Sequence, residues 1–377
     1  MNIDLTVALA NALSPQAETH GQLLQRGLAS DGLSGGITRT APVPLSKTVL
    51  QLNAFPVTLN PANFANPYSR ENPGGDIRTA YAFRKIADPV PSLSRTYNPS
   101  GHSTEEVYGN LVQFASILEK ERFVAGVFGS ANETFSKAAL VPLTSQPDEW
   151  RLVGAMPSDW YDVTQVERFQ DVELDLTGSE DASGQFTVVP GSEIMQWRMG
   201  DPARPKAMEA SHKDTQILSL KLKYLQVTFE RPWLDFELFN LSGWFLQGQP
   251  RGYLSTGLID DNQGILPLLT TGMVVGIDIT ADVYIGGKGR DLVLHALSAK
   301  KSLSLGPFQF MSVAASQAGN EVRCKTVTSD SAGAVLHVVG MISNLVPLAP
   351  QHPSTKNDRR ERRGRETRRH NYHGRTS

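Results

Sequence analysis

The chain has 377 residues, 40% hydrophobic and 20% charged, enough apolar material for one large core or two ordinary ones, which excludes a chain disordered throughout. Its formal charge of −2 conceals an asymmetry: from Ser354 onward nine Lys and Arg face three acids, a surplus of six, so the preceding body carries −8. The single cysteine, Cys324, excludes an intramolecular disulfide and any cysteine-built zinc or iron–sulfur centre within one chain.

The first residues, MNIDLTVALANALSP, place Asp4 where a secretion signal would carry positive charge. The best apolar run, Ile265 to Ile277, is too short to cross a bilayer as a helix. With the lone cysteine, these features lead us to expect a cytoplasmic protein.

A Gly/Ser-rich stretch ends at Gly36, and nine prolines fall between residues 42 and 99. Proline removes a ladder donor and breaks helices, so residues 1–100 are expected to be an N-terminal arm with little regular structure, wrapping the body or touching another chain. Residues 101–165 form the helical part. Ser103 and Glu106 have the spacing of a capping box, with Val107, Leu111, Phe114, Ala115 and Leu118 following at helical intervals. A second, shorter helix is expected over 131–139, stopped by Pro142.

From about residue 166 to 349 the period becomes two. In DVELDLT, Val172, Leu174 and Leu176 share one face and Asp171, Glu173 and Asp175 the other. ILSLKLKYLQVTFE switches from even to odd apolar positions, which predicts a β-bulge near Tyr224. MVVGIDITADVYI puts odd residues from Met273 to Ile285 on one side and Asp278, Thr280 and Asp282 on the other. GGKGR is expected to turn the chain so that DLVLHALSAKKSLSL returns as a second hairpin strand. EVRCKTV and AVLHVVGMISNLV give two more strands. The fold class is thus α+β: a predominantly antiparallel, sandwich-like body, a smaller helical N-terminal part and a disordered basic tail over 350–377.

The chemistry-bearing residues are sparse. No Walker A loop, complete GxGxxG, GxSxG elbow or HExxH occurs, and no cofactor or metal is implied. The acids at Asp171, Glu173 and Asp175, and at Asp278 and Asp282, lie two or four positions apart, about 6.5–7 Å per two residues of strand. That spacing suits paired acid–base chemistry, or simply a wet sheet face. His295 and His337 fall in expected strands and are placed to meet across the sheet; Cys324 reads as a buried thiol; DDNQG at 260–264 reads as a polar turn. Pro232 forces a corner whose Trp233 and Trp244 either fill a core end or offer an aromatic platform to a ligand. In the tail, Arg359, Arg360, Arg362, Arg363, Arg365, Arg368 and Arg369 are the polyanion-binding candidates, the one route to nucleic acid.

Three functions fit. The first is a non-enzymatic binding or assembly protein with a protein partner or a homo-oligomeric state. The second is a membrane-active pore former using an amphipathic hairpin over 273–297. The third is a hydrolase built on strand-face carboxylates.

Overall fold

The computed structural model describes residues 9, 12–13, 48–94, 96–140, 149–175, 196–199, 208–211, 215–299, 301–310, 312–318, 321–327 and 335–353. Among these residues the chain is a mixed α+β structure whose sheets are largely antiparallel. The principal strands are β1 (Thr48–Asn53), β2 (Gln170–Asp175), β3 (Thr215–Glu230), β4 (Leu268–Ile285), β5 (Ser312–Ala318), β6 (Glu321–Val327) and β7 (Leu336–Leu345). The helices are α1 (Ile77–Ala87), α2 (Thr104–Phe114), α3 (Arg122–Lys137) and α4 (Gly287–Ser298).

A ten-stranded sheet organises the molecule in the order β2–β3–β4–β7–β1, and the 18-residue strand β4 serves two neighbours. Its first half pairs with β7, from Leu268 opposite Leu345 to Gly276 opposite His337. Its second half pairs with β6, from Thr280 opposite Val327 to Ile285 opposite Val322. A four-stranded sheet that includes Gln196–Met199, Leu303–Leu305 and Phe308–Phe310 shares one core with α4 and the second half of β4. Helices α1, α2 and α3 share the other core with the first half. Leu9 and Leu13, one helical turn apart, are fully buried in the core of the four-stranded sheet.

The two cores lie against opposite faces, and a bulge lets β4 feed both. Met273, Val275 and Ile277 enter the helical core, whereas Ile279, Ala281, Val283 and Ile285 enter the other. Lys221 pairs with Thr280 and Lys223 with Ile277, so Asp278 and Ile279 together oppose Leu222. One extra residue flips every following side chain to the other face. Asp278 carries it with φ 51°, in the left-handed region. The odd-numbered row of β4 therefore does not share one side, as the alternation alone implies. Strand β3 needs no flip: Leu220, Leu222 and Tyr224 face one core, Val227 and Phe229 the other, and only the covering layer changes. The bulge expected near Tyr224 belongs to its partner.

Three further expectations are corrected. Residues 287–298 are a helix, so no hairpin spans 273–297. Leu292 and Ala296 suit a strand's alternation, but Gly289, Leu292, Val293 and Ala296 are the buried set, which is helical spacing. The bare Cα of Gly289 allows the close approach: a Cβ there would meet the Ile285 side chain at 2.7 Å. The proline-rich stretch contains β1, which lies inside the sheet between β7 and Thr96–Tyr97, and the 11-residue helix α1 capped by Asp76. Prolines bracket these elements rather than interrupting them. Finally, α2 stops at Phe114, and α3 begins at Arg122, well before the expected 131.

Candidate functional site

Three of the acids in these rows, Asp171, Glu173 and Asp282, each pair with a basic residue on a neighbouring strand. Asp171 and Glu173 on β2 lie opposite Lys223 and Lys221 on β3, with ion pairs of 2.9 and 2.7 Å. Asp282 accepts two hydrogen bonds from Arg323 on β6, at 3.0 and 2.7 Å. Hydrogen bonding to that guanidinium holds its carboxyl below the usual range. Asp278 is exposed at the bulge, and Asp175 pairs in register with Ser219. Cross-strand pairing of opposite charges is the ordinary chemistry of a wet sheet face.

The histidines do not meet. His295 is exposed on α4, while His337 on β7 is 1% exposed and accepts the Gln309 N–H through Nε2. Burial pushes His337 down to about 4, so it is neutral at physiological pH. Cys324 is buried beside Val283, and desolvation pushes its thiol up to about 11. No group of three or more His, Cys, Asp or Glu suited to a metal ion occurs among the described residues. Asn262 organises the expected turn at 260–264: its Oδ1 accepts the Thr256 and Gly264 N–H groups, and its amide donates to Ser255 Oγ. The arginines from Arg359 to Arg369 lie outside the described residues.

Trp233 and Trp244 are buried at 1% and 0% exposure. Their indole N–H groups donate to Leu152 O at 2.7 Å and Leu241 O at 2.8 Å. Trp233 packs against Tyr108 and Phe135, and Trp244 against Phe128. The proline corner is thus chiefly the anchor of the helical layer.

A cluster of charges supports that layer. Glu105 Oε1 accepts from Arg151 Nη1 at 3.0 Å, while Oε2 accepts from Arg84 Nε and the Arg151 backbone N–H at 3.1 and 3.0 Å. Asp88 accepts the Glu105 N–H at 2.9 Å and the Ser103 hydroxyl at 2.5 Å, and pairs with Arg84 at 3.2 Å. Ser103 Oγ in turn caps α2 by accepting the Glu106 N–H. Arg231 donates to Thr270 O and Ala87 O at 2.7 and 2.6 Å, tying the end of β3 to the end of α1. The cluster's carboxylate oxygens are all engaged, which makes it a bracket rather than a reaction centre.

A concave surface opens on the helical layer. A groove of about 530 Å³ runs between α3 and the proline corner, lined by Phe123, Gly126, Val127, Ala131 and Thr134 on one side and Pro232 to Asp235 on the other. Its size lies in the range of ligand clefts. Phe123 is 73% exposed at its rim, and Phe114, at the end of α2, is 65% exposed. The Tyr108 hydroxyl accepts the Asp235 N–H at 2.9 Å; burial raises that phenol, which stays protonated. Desolvation also raises the Asp235 carboxyl, with Glu237 adding repulsion. Sequence reasoning singled out Trp233 but not the groove, whose walls come from segments about a hundred residues apart.

No known protein-family model matches the chain, no curated protein is similar to it, and no solved structure matches its fold.

Proposed function

We propose that this chain is a non-enzymatic binding or assembly protein, a sandwich-like antiparallel body whose helical layer presents a partner surface. The observation that carries the reading is the groove of about 530 Å³ with Phe123 standing 73% exposed at its rim. Large apolar side chains beside a cleft mark contact sites, because burying them against a partner releases about 25 cal/mol for each Å² removed from water. Of the acids that a hydrolase would use, Asp171, Glu173 and Asp282 are held in cross-strand ion pairs. Val127→Arg would place a charge in the groove while leaving the buried residues of α3, Val124, Phe128, Ala131 and Phe135, unchanged.

The test places a photoreactive residue at position 123 and seeks a cross-linked protein that then binds the purified chain saturably. The reading expects one stoichiometric partner, or the chain itself, with affinity reduced at least about tenfold by Val127→Arg. Saturable hydrolysis of a substrate, abolished by Asp282→Asn in a folded protein, would overturn it.

A further inference from the structure

Two edge strands of the main sheet are built differently. β2, which pairs only with β3 among the described strands, carries Asp171, Glu173 and Asp175 along its length. If two copies met through β2 about Glu173, Glu173 would oppose itself and Asp171 would oppose Asp175. Like charges directly opposite are destabilising, so this edge is protected. β5 has the sequence SVAASQA and pairs only with β6 among the described strands. It holds no charge and no proline, and its pairing with β6 runs without a register shift from Ser312–Val327 to Ala318–Glu321. Ala314, Ala315 and Ser316 are exposed.

The rows that end at β5 show what would fit there. On the core face, Val283 lies beside Cys324 and Cys324 beside Ala315. The first two are fully buried, while Ala315 is exposed, so an apolar row stops at the edge. On the other face, Asp282 lies beside Lys325 and Lys325 beside Ala314; Tyr284 lies beside Arg323 and Arg323 beside Ser316.

We propose that β5 is a self-association edge, pairing antiparallel with β5 of a second copy about a two-fold axis at Ala315. Ala315 then opposes Ala315 of the second copy, Ala314 opposes its Ser316, and the apolar row continues across the seam. No charged residue opposes another. Lys325 and Arg323 of the second copy end up three strand spacings apart, about 14 Å, beyond the ~8 Å screening length of physiological salt. The pairing is isologous and closes on itself. It rests on the assembly reading above and names a second copy as the partner, through an edge distinct from the groove.

The experiment measures the mass of the full chain by light scattering, alone and as charge variants at exposed positions. The wild type is expected at twice the 41.2 kDa of one chain. Ala314→Lys combined with Ser316→Lys places lysine opposite lysine twice in the seam and is expected to give a monomer with unchanged circular dichroism. The corresponding double Glu variant is expected to be monomeric as well, and an equimolar mixture of the two to regain the doubled mass. That rescue depends on this register and not on general stickiness. A wild type that stays monomeric up to roughly 100 µM, far above a micromolar dissociation constant, would overturn the proposal. A dimer that survives the lysine pair, or lysine and glutamate monomers that fail to combine, would also overturn this edge. The groove's partner test stands apart from all these outcomes.

Discussion

Arg151 grips Glu105 twice: its guanidinium Nη1 donates to Oε1 at 3.0 Å, and its own backbone N–H donates to Oε2 at 3.0 Å. The same guanidinium lies 3.5 Å from the centre of the Phe135 ring and donates through Nε to Phe135 O. One carboxylate thus ties the start of α2 to α1, to the end of α3 and to the strand at Trp150–Arg151. Glu105→Ala is expected to take the shared carboxylate from two largely buried guanidinium groups, leaving Arg84 with Asp88 and Arg151 with Phe135 O, and to cost about 3 kcal/mol. Glu105→Gln keeps one acceptor oxygen and should cost less. Urea unfolding of the three proteins gives the ranking directly.

His337 predicts a window of pH-dependent stability. Unfolded, it takes up a proton near its ordinary value of 6.5; folded, burial keeps it neutral down to about 4. Its stabilising effect is therefore complete above pH 6.5, declines as pH falls from 6.5 to about 4, and levels off below. That window corresponds to about 3 kcal/mol. His337→Leu should lose this slope, and the difference between the two urea-midpoint profiles should correspond to one proton.

At the bulge, Asp278 holds φ 51° while its side chain is exposed. Glycine adopts this conformation without penalty, whereas a β-branched residue is forced against its own backbone. Asp278→Gly is expected to be neutral or stabilising by up to about 1 kcal/mol, and Asp278→Val destabilising by about 1–2 kcal/mol. Thermal unfolding distinguishes this from any role of the carboxylate itself, since both substitutions remove it.

The Cys324 thiol should resist alkylation in the native protein. Burial raises it to about 11 from an ordinary 9.0. At pH 8 this lowers the reactive thiolate fraction about 100-fold, before steric shielding adds to it. Mass spectrometry after iodoacetamide treatment should find the native chain unlabelled under conditions that label the urea-unfolded chain completely.

Much of this architecture is legible in residue spacing. Val172 and Leu174 announce β2, the Ser103 hydroxyl announces the start of α2, and the strands at 321–327 and 336–345 appear where their alternation places them. The rest depends on relations that spacing does not encode. Residues 292–296 satisfy both strand and helix periods, and the packing of Gly289, Leu292, Val293 and Ala296 on one face shows the helix. The change of face in β4 turns on one backbone angle at Asp278, in an alternation that reads as unbroken. Glu105 resembles an ordinary first-turn acid until Arg84 and Arg151 are brought to it from 21 residues before and 46 residues after. The groove is invisible for the same reason, since α3 and the proline corner meet only in three dimensions.

The double allegiance of β4 has a kinetic consequence. Because the odd-numbered side chains of the strand line the helical core before Asp278 and the four-stranded sheet's core after it, neither core can open widely without pulling on a strand that the other still holds. Amide protons of Val275, in the helical core, and Val283, in the other, should exchange with solvent at a common slow rate set by whole-molecule opening. The two layers then unfold as one cooperative unit, coupled through a single length of backbone.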